Sequence, residues 1–277
     1  MKRKIAILTC WSGPYPWYFP YFIHSCSFNS SVDFYIITDN EQRIINKPDN
    51  VKIISRSLPA IRESASAKLG FTANLHYPYK FCDFKPTYGL LFQELIEGYD
   101  FWGHGDVDMI YGDIRSFMTE QLLRSHDIVN NRHDYISGAF CLFRNTNELN
   151  TLFMQSKDYK TVLTSSDHFS FCECSRLWNE LANGHSLSEY SDRPESMTHV
   201  VRRLATEGKL RAYFDFIGLE GTPGEIMWRK GKITYQEKYE GMFYHLVRFK
   251  NECENQKPLD PIPEKYFFTP NNIVLKN

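Results

Sequence analysis

The sequence predicts an α/β fold with a mainly parallel central sheet and helices on both faces, and three observations lead there. Short runs rich in apolar and β-branched residues read as buried strands. Helix-type stretches alternate with these runs through the first half, the pattern of strands joined by crossover helices. Several of the helical stretches carry a proline near the start or a glycine at the end, the residues that open and close helices.

Taken in order, "KIAILTCW" (4–11) is the first strand, and "GPYP" breaks it. Residues 17–30 read as a helix with an early proline. "VDFYIITDN" (32–40) and "VKIISRS" (51–57) are the next two strands, the first ending in polar residues. "LPAIRESASAKLG" (58–70) is a helix with proline at its start and glycine at its end, and "KPTYGLLFQELIEG" (85–98) a helix closed by glycine. "YDFWGHGDVD" (99–108) is a strand and its exit. "DIRSFMTEQLLRS" (113–125) reads as a helix with Asp113 as its N-cap. "DIVN" and "YISGAFCLFRN" read as strands, residues 145–183 as mostly helical, and 195–207 as a helix. Short strands follow in "LRAYFDF", "EIMWRKGKITYQ" and "GMFYHLVRFK". With no repeat, low-complexity run or linker, the expectation is one domain over 1–277, its second half the less regular.

Composition narrows the function. A net charge of −1 gives no overall field toward nucleic acid or anionic lipid. Aromatic residues make up 16%, which fills cores and also supplies flat platforms for sugar or base rings. The seven cysteines are odd in number and lack CxxC spacing, which argues against a disulfide framework and for a reducing compartment. Cys172 and Cys174 have no second pair to complete a metal site. The apolar part of "MKRKIAILTC" is shorter than the roughly 7–15 residues of a secretory signal, and no apolar run nears the roughly 18 of a membrane span. A cytoplasmic protein without a transmembrane segment is expected, with peripheral contact at the inner face of a membrane left open.

The chemistry concentrates at "YDFWGHGDVDMIYGDI" (99–114). Asp106 and Asp108 stand where an aromatic strand ends, and Asp-x-Asp in extended chain puts both carboxylates on one side. Two such charges about 4 Å apart repel by roughly 4 kcal/mol at an effective dielectric near 20. A divalent cation removes that cost, and carboxylate oxygens suit Mg²⁺ or Mn²⁺, which bridge to phosphates. Gly103 and Gly105 are expected to leave room for a close ligand.

The stretch "HYPYKFCDFKPTYGLLF…YDFWGHGDVDMIYGDIRSF" resembles the GT-A-type glycosyltransferases. More closely it is similar to a group of bacterial proteins met in polysaccharide gene neighbourhoods, whose pattern is PYK-x-CD-x-(K/R)-P-x-(Y/F)-G followed by YDFWG-x-x-D-x-D-x-I-x-GD. The resemblance runs over about residues 1–175 and is strongest at 77–115. It implies a GT-A-like (Rossmann-like) domain with a nucleotide-sugar half at 1–115 and an acceptor-side half at 116–277. It also implies transfer of a sugar, from a UDP-sugar by family habit, to a glycan or lipid-linked glycan acceptor.

Residue by residue, the resemblance puts base and ribose contacts at Thr9, Cys10, Trp11 and Asp39, and donor-sugar and diphosphate contacts at Lys80, Asp83 and Lys85. It puts a metal at Asp106 and Asp108 with Val107 between them, and His245 as a third ligand. Lys250 lies near the diphosphate, with Arg248 beside it, and Ser137 and Gly138 lie where a sugar approaches the backbone. In "SSDHFSFCECSRLW", Cys172 replaces an acid of the family pattern, which leaves Glu173 as general base and Asp167 in reserve. His104, two residues before Asp106, is expected on the same strand face. Two other classes fit less well. A nucleotidyltransferase would carry a glycine-rich basic loop where "CWSGPYPWY" has one glycine and no cation, and no P-loop occurs. A non-catalytic glycan binder would have no use for Lys80, Asp83 and Lys85 beside the aspartates.

Overall fold

A computed structural model describes residues 2–221, 224–253 and 257–276. Its central sheet is built from β1 (Ile5–Trp11), β2 (Val32–Thr38), β3 (Val51–Ser55), β4 (Phe101–Gly105), β6 (Ile128–Asn130), β7 (Phe140–Arg144) and β8 (Ala212–Phe214), with the short β5 (Met109–Tyr111) outside it. The order across the sheet is β3-β2-β1-β4-β7-β6-β8. All pairings are parallel except the two made by β7, which runs against both β4 and β6. The molecule is therefore mixed α/β with a mostly parallel central sheet, as the alternation of strands and helices implied.

Burial on both faces explains the continuous apolar runs. In β1, Ile5 and Ile7 join Tyr21 and Phe22 of the helix Phe19–Ser27 on one face, and Ala6 and Leu8 meet Ile61, Phe84 and Tyr88 on the other. Helix Leu58–Leu69 ends as read: Ser57 caps its first turn, and Gly70 closes it at φ 75°, where a side chain would be strained. Other helices are shorter than the sequence suggested. Residues 85–98 break into three single turns, Lys85–Thr87, Tyr88–Leu91 and Gln93–Leu95. Pro86 interrupts the hydrogen-bond ladder, and Gly89 is pressed so closely on the Trp102 ring that a Cβ would lie 2.6 Å from it. Residues 113–125 form two helices, because Thr119 caps a second one after Asp113 caps the first. Within 145–183 the helices are short, and 165–177 is neither helix nor strand.

The C-terminal part adds β9 (Leu219–Glu220), β10 (Ile226–Arg229), β11 (Lys232–Tyr235), β12 (Tyr239–Gly241), β13 (Phe243–His245), β14 (Lys265–Phe268) and β15 (Ile273–Val274). Five of these make the sheet β12-β11-β10-β14-β15, whose Trp228, Tyr266 and Phe268 share one apolar cluster with Phe22 and Tyr111. The remaining two pair with β5 in the order β5-β13-β9. This small ladder starts directly after the two aspartates and brings residues 219–245 back to them. No helix among the described residues is long and apolar enough to cross a membrane.

Candidate active site

A cleft of about 800 Å³ opens at the carboxyl ends of β1 and β4, where Cys10, Trp11, Asp106 and Asp108 line it. Sheets of this type bind ligands at that edge. Gly103 and Gly105, expected to make room for a ligand, make room for the protein instead. A Cβ on Gly103 would lie 2.5 Å from Leu142, and one on Gly105 2.7 Å from the Tyr111 hydroxyl.

The ladder β5-β13-β9 completes the rim. His245 of β13 pairs with Met109, the residue after Asp108, so chain register alone sets the imidazole beside the aspartates. Ligand atoms of Asp106, Asp108 and His245 all lie within 4.8 Å of one another. Two carboxylates and one imidazole so arranged could hold a divalent cation. Each carboxylate meanwhile has an ammonium partner: Lys85 Nζ donates to Asp106 at 2.5 Å and Lys250 Nζ to Asp108 at 2.6 Å. Burial opposes the charge on Asp108, yet His245 and Lys250 hold its pKa well below the usual carboxylate range. Burial likewise opposes protonation of His245, but Asp108 and Glu220 raise its pKa to about 10. Lys85 is buried too, and Asp106 beside it keeps the ammonium charged. Five charges, those of Asp106, Asp108, Lys85, Lys250 and His245, thus offset one another in a partly buried site, an arrangement a lone carboxylate pair would not tolerate.

Glu173 faces the same cleft. One oxygen accepts from the Gly138 N–H at 3.0 Å and the other from the Trp178 indole N–H at 2.9 Å. Burial raises its pKa above the ordinary value, against the pull of Gly138, Lys85 and Trp178. Gly138, expected to admit a sugar to the backbone, admits this carboxylate: a Cβ there would stand 2.8 Å from Glu173 Oε1. Ser137, Gly138, Val107, Lys250 and Arg248 line the cleft with it.

Other expected residues lie outside the lining. Thr9 is buried and ties β1 to β4 through a 2.8 Å bond to the Gly105 carbonyl. Asp39 accepts from Ser12 and from the Gly13 N–H, closing the loop after β1, and Gly13 sits at φ 94°. Asp167 is exposed and offers its carbonyl, not its carboxylate, to Lys80. Lys80 and Asp83 are wholly buried against each other. Lys80 also donates to the Val162 carbonyl, and Asp83 accepts from the N–H groups of Phe169 and Phe171. His104 is a core residue 2.9 Å from the Ser137 carbonyl, its pKa lowered by burial to about 3. Cys172 lines the cleft as a buried thiol, and among the described residues no cysteine joins a metal-type cluster.

Glu220, Tyr135, Tyr79 and Trp178 line the cleft without having been anticipated. Glu220 is placed by strand pairing between segments far apart in sequence, and no local pattern marks it. Tyr79 is flagged only by its position inside "PYK", and Trp178 by its closeness to Glu173 in the chain.

Fold and rim together define a class: a mixed α/β protein that presents an acid–acid–imidazole cluster at the carboxyl edge of parallel strands. The chain belongs to the family described as "Family of unknown function (DUF6625)", which matches residues 7–277. No curated protein matches it. Among solved structures, the galactosyltransferase LgtC in complex with donor and acceptor sugar analogs is similar at 10% identity, over 76% of this chain and 86% of that one, with a TM-score of 0.38. The apo form of mouse xyloside xylosyltransferase 1 is similar at 9% identity, over 86% and 96%, with a TM-score of 0.44. At these values neither likeness bears on activity.

Proposed function

We propose that the chain is a metal-dependent glycosyltransferase that moves a sugar from a nucleotide-sugar, a UDP-sugar first of all, to a glycan or lipid-linked glycan acceptor. The observation that carries this reading is the cluster of Asp106, Asp108 and His245, flanked at 2.5 and 2.6 Å by the ammonium groups of Lys85 and Lys250. The motif resemblance over 77–115 supports the nucleotide-sugar and the setting in surface polysaccharide or lipopolysaccharide synthesis. The whole chain acts as one catalytic unit in this reading, with 1–115 holding the donor and 116–277 facing the acceptor.

Asp106, Asp108 and His245 would hold Mn²⁺ or Mg²⁺, which when bound supplies Lewis-acid stabilisation of the departing diphosphate. Lys85 and Lys250 would supply positive charge to the phosphate oxygens, and Arg248 would add charge at the rim. Cys10 and Trp11, at the end of β1, face the nucleoside. Glu173 takes the proton of the attacking hydroxyl in an inverting transfer, its carboxylate aimed by the two N–H groups that bind it.

Two experiments test this. Nucleotide-sugars are screened for Mn²⁺-dependent hydrolysis without acceptor, alongside thermal unfolding with UDP and Mn²⁺. Ligand at one hundred times its Kd stabilises by about 2.7 kcal/mol. Hydrolysis of no donor, with no stabilisation by any nucleotide, would rule the reading out. The second addresses the base. Glu173→Gln is expected to slow transfer by about 10²–10⁴-fold. Turnover needs the ionised carboxylate, so it rises as pH passes the Glu173 pKa. The Trp178 N–H lowers that pKa, so Trp178→Phe raises it and moves the acid limb of kcat/KM to higher pH. An unmoved limb would remove Glu173 as base.

A further inference from the structure

His245 stands in β13 with Met109 on one side and Glu220 of β9 on the other. Its Nε2 lies 3.5 Å from Asp108 Oδ2 and its Nδ1 3.2 Å from Glu220 Oε1. The second Glu220 oxygen accepts from Arg132 Nη1 at 2.8 Å. Arg132 is itself fixed: its Nε and Nη2 grip Asp134 at 2.9 and 2.8 Å, and its guanidinium lies 4.3 Å from the Tyr135 ring centre. Both oxygens of Glu220 are therefore engaged, and the carboxylate has no freedom to turn. A carboxylate against one imidazole nitrogen keeps the proton there and leaves the opposite nitrogen's lone pair for a cation.

We propose that Glu220 is a positioning residue, clamped by Arg132, that holds His245 with its proton on Nδ1 and so presents Nε2 to the divalent cation. The inference rests on the metal reading above. It also specifies which substitution is most damaging. Arg132 is a pure donor. In Glu220→Gln the amide oxygen therefore turns to Arg132, and the NH₂ turns to His245 Nδ1. Nδ1 must then accept, the proton sits on Nε2, and the ligand atom is blocked although size and shape are unchanged.

The test uses the full chain and Mn²⁺ alone, with free Mn²⁺ followed by electron paramagnetic resonance. Glu220→Gln is expected to raise the Mn²⁺ Kd by about 10–100-fold, and by more than Glu220→Ala does, with the metal-free Gln variant as folded as wild type by circular dichroism. In the Cd²⁺-loaded wild type, long-range ¹H–¹⁵N correlations should place the His245 proton on Nδ1. A Glu220→Gln Kd within twofold of wild type, or a proton found on Nε2, overturns the proposal. If the wild type binds no Mn²⁺ in the presence or absence of nucleotide, the metal reading falls, and this inference with it.

Discussion

Asp108→Asn is expected to lose at least about 10³-fold in metal-dependent turnover, roughly 4 kcal/mol of transition-state stabilisation, while the protein stays folded. The choice of Asp108 over Asp106 follows from what each carboxylate holds. The Asp106 partner, Lys85, has a side chain only 6% exposed, so removing Asp106 strands a buried ammonium and confuses a loss of fold with a loss of function. Asp108 has two partners: Lys250 is 31% exposed and can turn to water, and the buried His245 can lose its proton once that charge is gone. Asparagine keeps the shape of the side chain, and the Asp108 carbonyl still takes its bond from the Leu246 N–H at 2.9 Å. What disappears is one negative charge at the ion's position. Turnover and the Mn²⁺-dependent gain in Tm should vanish together, while the metal-free Tm moves by a few degrees at most. Wild-type turnover in Asp108→Asn, or full wild-type activity in EDTA, would show that the aspartates serve only to neutralise Lys85, Lys250 and His245.

The sheet was legible because strands buried on both faces carry continuous apolar runs, as β1 does over Ile5–Leu8 and β2 over Phe34–Ile37. The aspartates were legible because polar residues at the end of such a run stand out. Less local features were not. The segment 85–98 has helical composition, but Pro86 and the packing of Gly89 on Trp102 break it into turns. Gly103 and Gly105 look like ligand clearance in sequence, yet Leu142 and Tyr111 fill that space. Glu220 reaches His245 only through pairing of β9 with β13. A single chain of letters shows which residues can do chemistry, and register decides which of them meet. Lys80 and Lys85 illustrate the point. They share one motif five residues apart, yet Lys85 lines the cleft and Lys80 is sealed beneath the segment that leads to Glu173.

That sealed lysine supports the second large effect. Lys80→Met is expected to destabilise the protein by about 3–5 kcal/mol, a fall in Tm on the order of 10 °C for a chain of this size. Both side chains of the Lys80–Asp83 pair are 0% exposed, so solvent neither screens the pair nor replaces it. Methionine fills the volume of the stem but leaves Asp83 as a buried carboxylate without its ammonium, facing the N–H groups of Phe169 and Phe171 and, at 3.7 Å, the His168 imidazole. It also leaves the Val162 and Asp167 carbonyls short of a donor. The double variant Lys80→Met with Asp83→Leu should recover part of the loss, since the stranded charge is gone, but not all, because two backbone N–H groups then lack an acceptor. The pair pins 162–171, the end of the helix Tyr159–Thr164 and the irregular segment after it, which passes through Ser170 at φ 55° before reaching Glu173. Below its lowered Tm, Lys80→Met should therefore keep its Mn²⁺ and UDP affinities and lose kcat, because the rim ligands are held by other strands. Equal losses of nucleotide affinity and kcat would instead put Lys80 in the donor site, where the motif first suggested it, and a stability change under about 1 kcal/mol would deny it the bracing role.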